Sequence, residues 1–402
     1  MRLARSVFLS ASLFAVGCGS TSSGGTSSSS DAAGGATGAG QGGSSSEGPT
    51  GAGGMSAGPQ GPGAGPGPGA GGATTGTGGS SSSTGGTSNG MGGSPFMTQS
   101  FTMQFGPITV PGKTERTQCV VKRLGNVGPV HIGNFHNVLG DASHHMIVYR
   151  VNDTVEQPTP FDCQPFTDTL DPAKGSTLMI TQKKDEVLSL PDGVGYTLDD
   201  NQMIRLEMHY LNAPSDPVTL VSTTTMTTIA DAAYKYEADF LFIGDPDISI
   251  DPHTKATLGP IFFKLPGEYA DANFFAITGH EHHLGTNVTV DVAASKTDPG
   301  TPLYHIPGWL WSEPKTLFLN PTVQIPAGGG FNFTCDWNNT TDQTVTFGES
   351  AADREMCFFW AYYYPSHWAK VSFHTDKAPA GTLDLCCPGS ALCSYIQQYL
   401  NK

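Results

Sequence analysis

The chain has 402 residues, a net charge of −15, 52 glycines and eight cysteines. An acidic surplus of that size excludes nucleic acid as a partner, because phosphate binding needs a basic face. The glycines crowd into the first quarter of the chain, so its length does not describe one globular unit.

Met1-Arg2-Leu3-Ala4-Arg5 is a short basic opening, and Ser6 to Val16 is an apolar stretch too short to span a bilayer as a stable helix. It ends at Ala15-Val16-Gly17-Cys18, small residues just ahead of a cysteine. Residues 1–18 look like a bacterial lipoprotein signal, with Cys18 as the acylated mature N-terminus; an ordinary secretory signal cut elsewhere is the alternative. Gly19, rather than Asp, after that cysteine points to the outer membrane or cell surface instead of inner-membrane retention. The expectation is an extracytoplasmic, lipid-anchored protein that meets the membrane through its anchor alone.

Residues 19–95 are nearly all Gly, Ser, Thr, Ala and Pro without apolar periodicity. Such a segment buries too little surface to offset chain entropy, which predicts a disordered tether. Glycine does not recur at every third position, so the collagen-like appearance is superficial.

Residues 96–402 are long enough for two domains. Phe101 to Leu124, Ile147 to Val151, Met203 to Leu211, Phe240 to Ile243, Phe274 to Ile277 and Asn287 to Val292 are short β-type runs. They are bounded by Gly, Pro, Asn and Asp at spacings typical of sandwiches. No amphipathic helix exceeds three turns. The prediction is all-β, with two sandwiches over 96–222 and 223–380, and the Thr-rich stretch Ser215 to Asp231 as their junction. A cysteine-containing tail, 381–402, follows. Cysteines in an exported chain predict disulfides. Setting Cys18 aside leaves Cys119, Cys163, Cys335, Cys357, Cys386, Cys387 and Cys393, an odd number that leaves one thiol unpaired or oddly partnered.

Five histidines and a methionine carry the chemistry: His144-His145, His209, His280-Glu281-His282 and Met356. Imidazole ligates copper, zinc and iron, whereas a thioether is a soft ligand that favours Cu(I). Nitrogens plus one sulfur therefore point to redox copper. On a strand, His280 and His282 face the same side and can converge on one ion, while His283 faces away. Met356 lies in Arg354 to Tyr364, which reads as a buried strand with Cys357 on its opposite face. Two nitrogens and a thioether leave a position open for a small ligand such as dioxygen. Adjacent His144 and His145 can share a metal only at a strand end or bulge, which Gly140 to Ser143 suits. His209 completes a three-nitrogen set, and Glu207 shares its face as a candidate to orient a ligand. A lone histidine or methionine on a strand is ordinarily a core or surface residue; His131, His136, His253, His305, His367 and His374 are read that way.

With these pieces in order, the chain resembles the copper type II, ascorbate-dependent monooxygenases, the family of peptidylglycine α-hydroxylating monooxygenase and dopamine β-monooxygenase. The motifs are His144-His-Met-Ile-Val-Tyr149, Leu206-Glu-Met-His-Tyr210, His280-Glu-His-His-Leu-Gly285 and Glu355-Met-Cys357 followed by aromatics. Leu190 to Tyr196 and Phe101 to Cys119 also resemble the amidating branch, and the similarity runs from about Phe101 to Phe373. The resemblance implies two tandem jelly-roll-type β-sandwich domains, each carrying one copper site, hence two copper ions per chain. It implies that His144, His145 and His209 bind an electron-storing copper, and that His280, His282 and Met356 bind the copper that activates O2. Ascorbate or another one-electron donor would reduce both, and a C–H bond of a small-molecule substrate would be hydroxylated. It also implies the disulfides Cys119–Cys163 and Cys335–Cys357.

The departures concern the substrate. The amidating enzymes carry an arginine two residues before the HxH pair to grip a peptide carboxylate; here that position is Thr278. Two and four residues after the methionine they carry Asn and Tyr, replaced here by Phe358 and Trp360. These three positions outline a substrate pocket with aromatic walls and no carboxylate anchor, so peptide amidation is not expected and an apolar or aromatic small molecule is. The family's Gln two residues before the third histidine is Glu207. A non-catalytic cell-surface protein that binds or stores copper on the same fold is the alternative.

Overall fold

The computed structural model describes residues 98–165, 174–368, 370–378 and 381–387. The signal segment with Cys18, the 19–95 tether and Cys393 lie outside them. Among the described residues the regular elements are strands and two short 3-10 turns.

The first sandwich is built from β1 (Ser100–Val110), β2 (Thr114–Arg123), β3 (Val130–Val138), β4 (Ser143–Val151), β5 (Gln157–Asp162), β6 (Gly175–Thr181), β7 (Asp185–Ser189), β8 (Val194–Leu198), β9 (Met203–Asn212) and β10 (Val218–Ile229). One sheet runs β1-β10-β3-β8, with β7 also on β3, and the other runs β5-β2-β9-β4-β6. The short β11 (Tyr236–Glu237) pairs parallel with β8 and leads the chain into the second sandwich.

The Thr-rich segment is not the junction expected at 222/223. It forms β10, which stays in the first sandwich to Ile229 between β1 and β3. Its residues alternate, with Leu220, Ser222, Thr224, Met226 and Thr228 buried. The outward threonines pair across the strands, Thr225 with Thr102 at 2.9 Å and Thr227 with Ser100 at 3.0 Å. Threonine is β-branched and suits a half-buried pleat, so a run of it is strand material.

The second sandwich comprises β12 (Asp239–Gly244), β13 (Ser249–Ile250), β14 (Lys255–Lys264), β15 (Asn273–His280), β16 (Gly285–Ala293), β17 (Thr301–His305), β18 (Leu317–Val323), β19 (Gly330–Asn338), β20 (Val345–Thr346), β21 (Phe358–Tyr364), β22 (Lys370–Ala378) and β23 (Gly381–Cys387). Its sheets run β18-β15-β21-β12-β22-β23 and β14-β19-β16-β17, with β13 and β20 forming a small ribbon. Residues 381–387, expected in a tail, are the edge strand of the larger sheet.

That larger sheet is apolar on both faces. Phe358, Trp360 and Tyr362 of β21 join the core of the first sandwich, whereas Phe359, Ala361 and Tyr363 fill the core of the second. Such double burial explains the unbroken apolar run of β21, which would alternate if one face met water. Polar ties cross the same contact. The Tyr362 hydroxyl accepts the Ile180 N–H at 3.1 Å, and the Thr278 and Thr316 hydroxyls share a hydrogen bond that Thr316 extends to Glu186.

Cys119–Cys163 and Cys335–Cys357 are both formed, each with Cα atoms 5.8 Å apart. Cys386 and Cys387 are also disulfide-bonded. The odd count allowed an unpaired or an oddly partnered thiol, and among the described residues no cysteine is free.

Candidate metal centre

β4 and β9 lie side by side and bring His145 opposite His209. The register slips between Ser143 and His145, and Ala142 just before has φ of 64°. This irregularity lets two adjacent residues serve one site, since an ideal strand would send them to opposite faces. The ring centroids of His144, His145 and His209 stand 5.0 to 5.2 Å apart.

His280 is the last residue of β15, but His282 lies beyond it in the connection to β16. The two are therefore not strand neighbours on one face, as the spacing suggested. Their rings meet at 5.1 Å because the chain turns. Gly279 makes room ahead of the turn: a Cβ there would stand 2.7 Å from the Val288 side chain. His283 points elsewhere and donates from Nδ1 to the Ala351 carbonyl at 2.8 Å.

The two pairs are not remote from each other. His144 lies 5.7 Å from His280 and 5.5 Å from His282, centroid to centroid. The candidate ligand atoms form two triads, His144-His145-His209 and His144-His280-His282, each with its atoms within 4.8 Å of one another. The separate centres expected from the sequence thus meet in one five-histidine cluster through His144. All five are buried, between 1% and 8% exposed.

Hydrogen bonds fix which nitrogen each ring can offer. His280 Nδ1 donates to the Gln182 side-chain carbonyl, and His282 Nδ1 to the Arg354 carbonyl at 3.1 Å. Acceptors at Nδ1 leave the Nε2 lone pairs free for a metal. His209 is reversed: Nε2 donates to Glu115 at 2.9 Å, and Nδ1 stands 3.3 Å from His145 Nε2. Burial first, and then the neighbouring imidazoles, hold His144, His145, His280 and His282 well below the ordinary histidine range. The rings are therefore neutral, the form that ligates. His144 Nε2 and His282 Nε2 are buried without a hydrogen-bond partner. Such atoms are costly unless something binds them, so the donor set fits a metal ion.

Met356 is 3% exposed and lies just ahead of β21, whose first residue, Phe358, pairs with His280. It precedes the strand expected to contain it. Glu355 clamps this segment to the histidine turn, accepting the N–H groups of His282 at 2.9 Å and Leu284 at 2.7 Å and the Trp337 indole at 3.0 Å. Burial still raises Glu355 to about 7. The Cys335–Cys357 disulfide fixes the next residue to β19.

Glu207 accepts from the Tyr149 hydroxyl at 3.0 Å, while Glu115 is the carboxylate on His209. Thr278, Phe358 and Trp360 are 1–2% exposed and packed between the sandwiches, so they form no open wall. Three residues at the cluster went unread in the sequence: Glu115, Gln182 and Trp311, whose ring lies 5.9 Å from His144. Glu115 sits two residues from Thr117, the register partner of His209. Only the pairing of β2 with β9 reveals that proximity. The histidines set aside are engaged otherwise: His131 stacks on Tyr234, and the remaining five meet carboxylates.

Residues 263–382 match the family described as copper type II ascorbate-dependent monooxygenase, C-terminal domain. The match covers this C-terminal part of the chain alone, and the matched span carries His280, His282 and Met356. Among solved structures, a tail fiber protein from an E. coli phage aligns over 67% of this chain and 35% of its own, at 7% identity and a TM-score of 0.14. A likeness that low carries no structural meaning.

Proposed function

We propose that the protein is a monooxygenase that hydroxylates a C–H bond of a small substrate, using O2 and a one-electron reductant such as ascorbate. The observation that carries this reading is the convergence of five buried imidazoles, ordered in two triads that share His144. His144, His145 and His209 would hold one copper, and His280, His282 and Met356 a second, with His144 within reach of both. Copper bound there supplies one-electron redox chemistry and O2 activation. The chain supplies the rest. Gln182 and the Arg354 carbonyl aim Nε2 of His280 and His282, Glu115 aims Nδ1 of His209, and the Met356 thioether favours the reduced metal. The Thr278 hydroxyl is occupied by Thr316, in keeping with a substrate that brings no carboxylate to be anchored.

Metal analysis of the full chain should find two coppers, and ascorbate should drive O2 uptake. Fewer than two coppers together with no uptake would remove the enzyme reading. The burial of Thr278, Phe358 and Trp360 favours a second one, a copper-binding or storage protein at the cell surface. It predicts tight copper binding without reductant-driven O2 consumption. A lipid anchor at Cys18 and an extracytoplasmic site complete the proposal, resting on the sequence alone. Cys18→Ala should release the protein from the membrane fraction, and unchanged membrane association would refute the anchor.

A further inference from the structure

We infer that a second site, a pocket at the junction of the two sandwiches, binds a neutral saccharide. The cavity measures about 560 Å³, within the range of small-molecule sites. Arg150 stands on its wall, five residues along β4 from His145. At ~3.3 Å per residue that places it roughly 17 Å from the histidine cluster.

The lining is chemically specific. The Arg150 guanidinium is held from Nε by Ser176 at 2.9 Å and from Nη1 by the Thr197 carbonyl at 2.8 Å and Glu237 at 2.6 Å. It is thus a fixed planar fork whose charge is balanced by Glu237. Asp199 adds a further carboxylate to the wall. With two carboxylates to one guanidinium, the pocket disfavours anions. Glu237 is taken up by Arg150, Thr197 and Tyr234, so Asp199 is the carboxylate placed to accept from a ligand hydroxyl while the guanidinium donates to its neighbour, the pattern that vicinal diols satisfy.

Trp368 is an independent observation. Its side chain is 67% exposed at the rim, and its φ is 68°, a rare conformation for a bulky residue. Residues held this way cluster at functional sites, because the surrounding structure must enforce them. Here the Trp368 N–H donates to the Ser366 hydroxyl at 3.1 Å, which in turn donates to buried Asp239 at 2.6 Å. The loop is pinned so that an indole face stays in water beside a polar cavity. The negative π face attracts C–H hydrogens, and a pyranose offers a face of C–H groups with hydroxyls around its edge.

The site does not depend on the copper reading, so the full chain can be titrated with or without metal. The probes are glucose, galactose, mannose, N-acetylglucosamine and their disaccharides in millimolar excess, with glucuronate as the charged arm, followed by calorimetry and tryptophan emission. At least one neutral probe should bind and shift the emission, with glucuronate weaker by about tenfold or more. Trp368→Ala should weaken that binding about tenfold or more, Trp368→Phe should restore most of it, and Asp199→Asn should weaken it. No binding by any neutral probe, tighter binding of glucuronate, or unaltered binding in both Trp368→Ala and Asp199→Asn would overturn the assignment.

Discussion

Glu115 accepts a hydrogen bond from His209 Nε2 at 2.9 Å, and the same carboxylate accepts from the Ala351 N–H at 2.6 Å and the Ser350 hydroxyl at 2.8 Å. It thereby joins a ligand of the first sandwich to the loop of the second that ends in Glu355 and Met356. Burial raises its pKa, but the bonds from His209, Ser350 and Ala351 outweigh that and leave it lowered.

Removing that charge should therefore be felt at the metal. Glu115→Gln is expected to weaken copper binding by about 10–100-fold at the His144-His145-His209 triad. A Cu(I) competition titration reads this, and affinity equal to the parent's would show that Glu115 does not position His209.

His144 belongs to both triads, so its loss should do more than the loss of a ligand at either end. His144→Ala is expected to lower the copper content at both positions, whereas His209→Ala and His282→Ala each lower it at one. Copper per chain by elemental analysis compares the three. Equal effects from all three would mean that His144 is not shared. In the parent protein copper should also raise the melting temperature, because a ligand that binds only the folded state stabilises it.

The sandwich contact can be probed at Tyr362. In Tyr362→Phe the buried Ile180 N–H loses the hydroxyl that accepts it. Leaving a buried donor without a partner costs about 1–3 kcal/mol, to be measured by urea unfolding.

Asp239 sets a pH dependence. Burial raises it from 3.8 to about 6, despite bonds from Ser366 and Phe240. The folded state holds this proton more firmly than the unfolded chain does, so stability falls as pH rises from about 4 to 6, by roughly 2–3 kcal/mol. Asp239→Asn removes the titration. The unfolding free energy of the parent relative to the variant should therefore decline across that window, and a constant difference would refute the assignment.

The Cys335–Cys357 bridge should contribute about 2–5 kcal/mol. Cys335→Ser is expected to lower the denaturation midpoint accordingly and to loosen the chain next to Met356.

What the sequence made legible was the composition of the cluster. Histidines at paired positions stand out against a background of short apolar runs, and the structure gathers all five. The reasons for their meeting were less visible. His280 and His282 converge through a turn rather than along a strand, and a single spacing is compatible with both. The contact between the triads arises from sheet packing through Phe358, Trp360 and Tyr362, which no local pattern encodes. Threonine misled in β10 because its polarity suggests a linker while its branched Cβ favours a strand. Glu115, on a different strand from His209, had no sequence signal at all.

The doubly covered strand β21 has a consequence for how the molecule comes apart. Severing the chain between residues 230 and 238 would leave Phe358, Trp360 and Tyr362 bare on one fragment and the first sandwich missing part of its lining on the other. Neither piece would be a self-sufficient body, and both would be prone to clump. The two sandwiches should accordingly melt together in one transition, so that a single heat-capacity peak, rather than two, is the signature of this architecture.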